Sequence, residues 1–244
     1  MSPGNPAVAA IAVFVAYTVV VGILWRLTGT RYDHLVDSRS TILRGIVLPI
    51  GLGGVLLAVV TTWFGWWEQA LFPGSVGPTW VLVVPALFAL VAVANIALIG
   101  WRTPRARLLP LLLVGTLLVG LAEELASRGV LAVGLREAGA SEIVVWLVTS
   151  ILFSLLHAMN VLFGQPARTT LVQLVMAFFA GSALYVTVMS TGSLLVAMVL
   201  HALWDFGTFG ILATERQQKP LVGLLALAVL ALSVVAAIVV ATAG

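Results

Sequence analysis

The chain contains no cysteine among its 244 residues and has few charged residues. The lack of cysteine excludes disulfides, thiolate metal ligands and a cysteine nucleophile, so any metal site must use histidine and carboxylate side chains. Charged residues make up only 9% of the chain, whereas a soluble domain has about 25%. So little polar surface cannot cover a water-facing globule, and the mean hydropathy is +1.17. The composition therefore predicts a polytopic membrane protein.

The net positive charge is small, at +3, and the basic residues lie in short loops between apolar runs. That distribution is typical of residues that set membrane orientation, not of a nucleic-acid-binding patch. We therefore expect no nucleic-acid partner. No Lys or Arg precedes Arg26, and a cleavable signal peptide needs a basic start. The first apolar run is accordingly expected to be a membrane span.

Eight apolar runs in the sequence approach the length of about 20 residues that a helix needs to cross a bilayer. The runs are residues 7–25, 46–67, 79–100, 108–134, 143–163, 169–189, 194–212 and 220–242. Polar, glycine- or proline-containing segments separate them. The sequence predicts an all-α fold, in which residues 1–244 form a single membrane domain built as a bundle of about eight transmembrane helices.

The basic residues are distributed unevenly between the two sides of such a bundle. Ten of the twelve lie in the first, third, fifth and seventh loops, which share one side, and only Arg136 lies in a loop on the other. Loops rich in Lys and Arg stay in the cytoplasm. We therefore expect that side to be cytoplasmic and both termini to lie outside.

Six ionisable residues interrupt the apolar runs, in three different segments. They are Glu123, Glu124, Arg128, His157, His201 and Asp205. Arg and Asp cost about 2.5–3.5 kcal/mol each at bilayer depth on insertion scales, and ionisable residues within spans usually face the bundle interior and pair with one another. We therefore expect the three segments to meet and form one functional site.

The spacing within the first segment separates its two carboxylates. Residues four apart share a helix face, so Glu124 and Arg128 can pair. Glu123 lies about 100° round the helix and is free to face another group. A structural ion pair between two helices would explain Glu124 and Arg128 alone, but one arginine cannot satisfy both glutamates.

The other two segments repeat this spacing with histidine. Phe153 and His157 share one helix face, and Asn160 adds a polar group near it, as a partner of the site or as a helix–helix hydrogen bond. His201 and Asp205 also share a face, so Asp205 can accept a hydrogen bond from a histidine or supply another oxygen. His157 taken alone is more typical of a satisfied core histidine than of a ligand, whereas the His201 and Asp205 pair is by itself a moderate indication of a functional site.

The six residues together form a ligand set with a known chemistry. Two imidazoles and carboxylates suit Zn or a similar ion that keeps an open position for water. Such an ion lowers the pKa of its bound water, and a free glutamate can act as general base. The HExxH motif of soluble zinc proteases is absent from the sequence.

The order of the three motifs resembles the CPBP family, the CAAX prenyl endopeptidases and bacteriocin-processing intramembrane proteases also called ABI. The motifs here are Glu-Glu-x-x-x-Arg at 123–128, Phe-x-x-x-His at 153–157 and His-x-x-x-Asp at 201–205. The resemblance implies a helical bundle with an intramembrane polar cavity. It also implies hydrolysis of a peptide bond by glutamate-activated water, with or without a metal. The core that carries the resemblance covers residues 108–212.

The resemblance also implies roles for the residues that match the motifs. Glu123 is the expected base or ligand, with Glu124 as its partner. His157 and His201 are expected to be metal ligands or oxyanion stabilisers. Asp205 stands where the prenyl-protein branch has Asn, and its charge would favour a metal over an oxyanion donor.

Arg128 is expected to orient Glu124 and join two helices, with Phe153 and Asn160 in support. A divalent metal, Zn by ligand type, is expected on Glu123, His157 and His201. The expected partners are a membrane-associated protein or peptide substrate and membrane lipids. The composition suits a bacterial plasma membrane.

Two other functions use the same polar cluster. A membrane scaffold or chaperone would bind a partner helix with it, and a proton-coupled transporter would relay protons through it. The sequence shows no internal repeat and no paired broken helices, which argues against a transporter.

Overall fold

The computed structural model describes residues 4–243, and every regular element within that range is a helix. Eight of the described helices are long and apolar enough to cross a membrane. They are α1 (Pro6–Thr28), α2 (Arg39–Phe64), α3 (Thr79–Leu98), α4 (Pro104–Glu137), α5 (Glu142–Phe163), α6 (Ala167–Thr191), α7 (Leu194–Ala213) and α8 (Pro220–Ala243). The predicted all-α bundle is confirmed, and the protein is an integral multi-pass membrane protein. Residues 1–3 and 244 of the predicted domain lie outside the described residues.

Most spans are longer than the apolar runs indicated, and α2 and α4 illustrate the reasons. Helix α2 begins at Arg39, within the polar segment, because Ser38 caps it: the Ser38 hydroxyl accepts from the Thr41 N–H at 3.1 Å and the Thr41 hydroxyl accepts from the Ser38 N–H at 3.0 Å. This reciprocal pair satisfies backbone donors at the helix start. Helix α4 has 34 residues, more than the roughly 20 that span a bilayer, so it must tilt or extend beyond the apolar layer.

Helix α4 is the centre of the bundle. It packs against α1, α2, α5 and α7, and α7 in turn packs against α3 and α6. In the most apolar 18-residue stretch of α4, 61% of the residues are buried inside the protein, compared with 22% in the corresponding stretch of α1. Helix α8 covers α3 and α6. The polar motif in α4 therefore lies where side chains from several helices can reach it.

Side-chain contacts at the two ends of the bundle bring together loops that the charge distribution places on the same side. At one end, Arg105 at the start of α4 donates to Glu215 at 2.7 Å and lies 3.9 Å from Asp37, so the first, third and seventh loops meet. At the other end, the Trp66 indole donates to Glu137 at 3.1 Å. These contacts define a basic end and an opposite end of the bundle. The assignment of the basic end to the cytoplasm stays a prediction.

Candidate active site

The site begins with a close approach between α4 and α7 at Gly120. A Cβ at this position would collide with the carbonyl oxygen of Met198 and lie 2.9 Å from the backbone nitrogen of Ala202, both in α7. Only glycine therefore lets the two backbones come so close. Glu124 follows one turn later in α4 and His201 lies between the two contact points in α7, so their side chains meet.

Glu124 is the centre of a buried charged network. Its Oε1 accepts a hydrogen bond from Arg128 Nη1 at 2.9 Å and another from His201 Nδ1 at 3.0 Å. Arg128 Nη2 donates to the carbonyl oxygen of Gly181 in α6 at 2.8 Å. The i,i+4 pair expected from the sequence is therefore present, and it joins α4, α6 and α7.

The backbone around Arg128 departs from the regular α-helix. From Leu125 to Leu131 the chain forms a π-helical segment, and the whole segment is buried. Wider turns of this kind occur often at functional sites. The segment begins directly after Glu124, so the local geometry of the motif differs from the α-helical spacing assumed from the sequence.

Phe153 in α5 contacts Arg128 and both histidines. The guanidinium carbon of Arg128 lies 4.3 Å from the centre of its ring, which is within cation–π range. The rings of His157 and His201 meet it edge-on, with centroids at 5.3 and 5.6 Å. Phe153 thus brings residues of all three motifs into contact.

Both histidines have one ring nitrogen fixed by a hydrogen bond. His157 Nδ1 lies 3.0 Å from the Phe153 carbonyl oxygen, which can only accept, so Nδ1 carries the proton. His201 Nδ1 donates to Glu124 in the same way. In each ring Nε2 remains for another partner, as in a histidine oriented by its second nitrogen.

The second nitrogen of His201 lies among carboxylates. Its Nε2 is 3.6 Å from Asp205 Oδ2 and 4.0 Å from Glu123 Oε2. Both distances exceed a hydrogen bond. The sequence left open whether Asp205 accepts from a histidine, and the bonded partner of His201 is Glu124 instead.

A cavity of about 90 Å³ lies beside these residues. Glu123, His157, Asn160 and Asp205 line it, so every motif segment contributes a polar side chain to one space. A water molecule needs roughly 10–15 Å³ of such volume, so several waters fit. Glu123 Oε2 is buried and has no hydrogen-bond partner among the described residues, which leaves it available to a water or substrate in the cavity.

A hydrogen-bonded chain connects the cavity with the first loop. Asn160 Nδ2 donates to Gln173 Oε1 at 3.0 Å, and Gln173 Nε2 donates to the Tyr32 hydroxyl at 2.9 Å. Burial raises the pKa of Tyr32 to about 12, and the charges of Asp205 and Glu123 add to the shift, while the Gln173 hydrogen bond partly opposes it. Tyr32 is therefore neutral at physiological pH and keeps its proton for donation.

The motifs did not identify five aromatic and amide residues of the cavity wall, which are Tyr17, Trp25, Tyr32, Gln173 and Phe209. Three of them precede the motif segments by more than 70 residues. Spacing along one helix cannot identify such neighbours, because it reports only which residues share a face.

The side chains predicted to bind a metal are not arranged as a metal site in the structure. Within residues 4–243, no group of three or more His, Asp or Glu side chains is arranged to hold an ion. Glu123, His157 and His201 offer suitable donor atoms, but their present placement does not fit a bound ion. The divalent metal stays a prediction.

Comparison with known families gives one match. Residues 104–207 match the model of the family described as "Type II CAAX prenyl endopeptidase Rce1-like". The segment includes all three motifs, so the resemblance to CAAX prenyl endopeptidases of the CPBP family is confirmed. Neither the curated proteins nor the solved structures contain a match to the chain.

Proposed function

From the family match over residues 104–207, we propose that the protein is an intramembrane endopeptidase. It hydrolyses a peptide bond in a membrane-associated protein or peptide. The observation that carries the proposal is a buried carboxylate oxygen of Glu123 that has no hydrogen-bond partner among the described residues, in a residue that lines a cavity large enough for several waters. A general base requires an acceptor of this kind within reach of a water molecule.

Glu123 starts the reaction as the base. Its carboxylate takes a proton from a water molecule in the cavity, and the water oxygen forms a bond to the carbonyl carbon of the substrate. His157 assists by accepting a hydrogen bond from the same water at Nε2, because its Nδ1 proton is held by the Phe153 carbonyl. The product of this step is a tetrahedral intermediate with a negative oxygen.

His201 stabilises the charge that develops. In its protonated form it donates from Nε2, while its Nδ1–H is held by Glu124. Asp205 lies 3.6 Å from the same Nε2 and favours this charged form. Donors fixed before the reaction stabilise an oxyanion more than mobile water does.

Collapse of the intermediate returns the proton. The C–N bond breaks, and the protonated Glu123 gives its proton to the leaving amine. The products are a carboxylic acid and an amine, and Glu123 is again a carboxylate. One water is consumed for each bond that is cleaved.

The basic end of the bundle is proposed to face the cytoplasm of a bacterial cell. One wall of the cavity consists of Tyr32 and Leu35 from the first loop, which lies at this end. The substrate would accordingly reach the cavity from the membrane close to the cytoplasmic surface. Membrane lipids surround the apolar outer faces of the helices.

The test is cleavage of a pooled library of membrane-anchored peptides in proteoliposomes, with new termini detected by mass spectrometry. We expect the wild-type chain to cleave some members and Glu123→Gln to lower the rate by about 10³-fold, within the usual range for a general base. Glu215→Gln is the matched control, because Glu215 is exposed at the basic end and paired with Arg105. Full activity of Glu123→Gln would contradict the mechanism.

The same preparations test the other interpretations. Elemental analysis tests the zinc prediction: one ion per wild-type chain, lost in Glu123→Ala, supports it, and an active chain without a bound ion contradicts it. A wild-type chain that cleaves no peptide contradicts the endopeptidase. Cellular function retained in Glu123→Gln would indicate a scaffold or chaperone, and proton-dependent solute flux would indicate a transporter.

A further inference from the structure

Tyr17 in α1 has a hydroxyl group that the packing of the protein leaves without a partner. The side chain is buried, with 1% of the residue exposed, and within residues 4–243 no group bonds to its oxygen. The chain has three tyrosines, and the other two are bonded: the Tyr32 hydroxyl accepts from Gln173 and the Tyr185 hydroxyl donates to Glu142 at 2.9 Å. A buried hydroxyl without a partner is costly and requires a specific explanation.

The bundle makes room for the Tyr17 ring at a particular place. Gly53 in α2 faces the ring, and a Cβ at this position would lie 2.6 Å from Tyr17 Cε2. A larger residue at 53 would therefore displace the ring. The packing of α2 fixes the ring position although the hydroxyl gains no bond from it.

The Tyr17 side chain forms part of the wall of the 90 Å³ cavity. Tyr17 lines this cavity together with Glu123, His157 and Asp205. Ser127 and Ser150 also have buried hydroxyls without partners among the described residues, but neither lines the cavity. Tyr17 and Glu123 are thus an unpartnered donor and an unpartnered acceptor on the walls of one small space.

We propose that the Tyr17 hydroxyl donates a hydrogen bond to the substrate carbonyl oxygen and to the oxyanion formed from it. The inference rests on the proposed endopeptidase activity and adds a catalytic residue from outside the 104–207 family match. A neutral phenol is a suitable donor, because it brings no charge into the membrane and cannot compete with Glu123 as the base at neutral pH.

Together with His201, Tyr17 completes a pair of donors for the oxyanion. The two groups come from α1 and α7, and both reach the region of Glu123. A hydroxyl kept free of protein partners costs stability but needs no rearrangement when the substrate oxygen arrives. This explains why a tyrosine stands where phenylalanine would pack equally well.

The test is Tyr17→Phe in the full-length protein, assayed with a peptide that the wild-type chain cleaves in the library experiment. We expect kcat to fall by about 100-fold, as for loss of one oxyanion donor, with the shape of the pH profile unchanged. The melting temperature should not fall, because the lost hydroxyl had no protein partner. Tyr185→Phe is the matched control and should lower the melting temperature while leaving kcat unchanged.

Three results would overturn the inference. Unchanged kcat in Tyr17→Phe means that the hydroxyl does not contact the reacting atoms. A lower melting temperature of Tyr17→Phe with unchanged kcat means that the Tyr17 hydroxyl is bonded to a buried water and has a structural role only. A shifted pH profile means that Tyr17 acts through Glu123. If the wild-type chain cleaves no peptide, the proposed function fails first, and the inference falls with it.

Discussion

Glu123 and Glu124 are neighbours in the sequence but belong to two contrasting halves of the site. The packed half consists of Glu124, Arg128 and the Nδ1 side of His201, where one carboxylate oxygen receives two donors at 2.9 and 3.0 Å. The cavity half includes Glu123 and Tyr17, whose buried oxygens have no partner among the described residues. Glu124 Oε2 and Arg128 Nε in the first half also have no partner among the described residues, but neither residue lines the cavity, whereas Glu123 and Tyr17 both do.

From this difference we infer which residues hold the site and which act in the proposed reaction. A buried charge is tolerated when it is paired and hydrogen-bonded, and the packed half meets this condition through Glu124 and Arg128. Unpartnered buried groups reduce stability, so proteins retain them mainly at functional sites. His201 connects the two halves without lining the cavity itself, because Glu124 holds Nδ1 while Nε2 lies 3.6 Å from Asp205 and 4.0 Å from Glu123, which both line it.

The largest effect is expected from breaking the packed half with Arg128→Met. Removing one partner of a buried ion pair costs about 3–5 kcal/mol, because the other charge is left uncompensated. Glu124 would then keep only the hydrogen bond from His201, so the unfolding free energy in detergent should fall by this amount.

Arg136→Met is the matched control for this prediction. Arg136 pairs with Glu142 at 2.6 Å, but its side chain is 24% exposed and Tyr185 still donates to Glu142 when the arginine is removed, so the loss of stability should be smaller than for Arg128→Met. Adding Glu124→Gln to Arg128→Met should restore part of the lost stability, since it removes the unpaired charge. Equal stability of Arg128→Met and the wild type would show that the packed half does not hold the site.

A smaller effect is expected in the cavity half from Asp205→Asn. The Asp205 side chain is partly exposed and lies 3.6 Å from His201 Nε2. We expect folding to be retained and kcat to fall about tenfold, equivalent to roughly 1.4 kcal/mol, because the charged form of His201 loses a neighbouring carboxylate. The melting temperature tests whether folding is retained, and kcat measured on the same preparation tests the predicted loss of activity. A variant with wild-type kcat would show that Glu124 alone supports His201.

Much of the architecture followed from composition and spacing. Long apolar runs identify spanning helices because the bilayer requires them, and the i,i+4 rule places Arg128 beside Glu124. The bond from His201 to Glu124 did not follow, since it depends on how closely α4 and α7 approach at Gly120. The positions of Tyr17 and Gln173 at the cavity could not be predicted from the sequence either, because only tertiary packing brings these residues there.

The smallest effect is expected at the edge of the cavity half, from Gln173→Leu. This change removes the side chain that links Asn160 to Tyr32. Asn160 and Tyr32 each lose a hydrogen-bond partner, but water can partly replace it because both residues line the cavity. We expect kcat to fall several-fold, equivalent to about 1 kcal/mol for one such hydrogen bond. Gln218→Leu is the matched control, because Gln218 donates to Asn95 at 2.8 Å, and neither residue lines the cavity. If both variants lower stability equally but only Gln173→Leu lowers kcat, the first loop belongs to the cavity half; if neither changes kcat, the chain from Asn160 to Tyr32 is structural and the cavity half ends at Asn160.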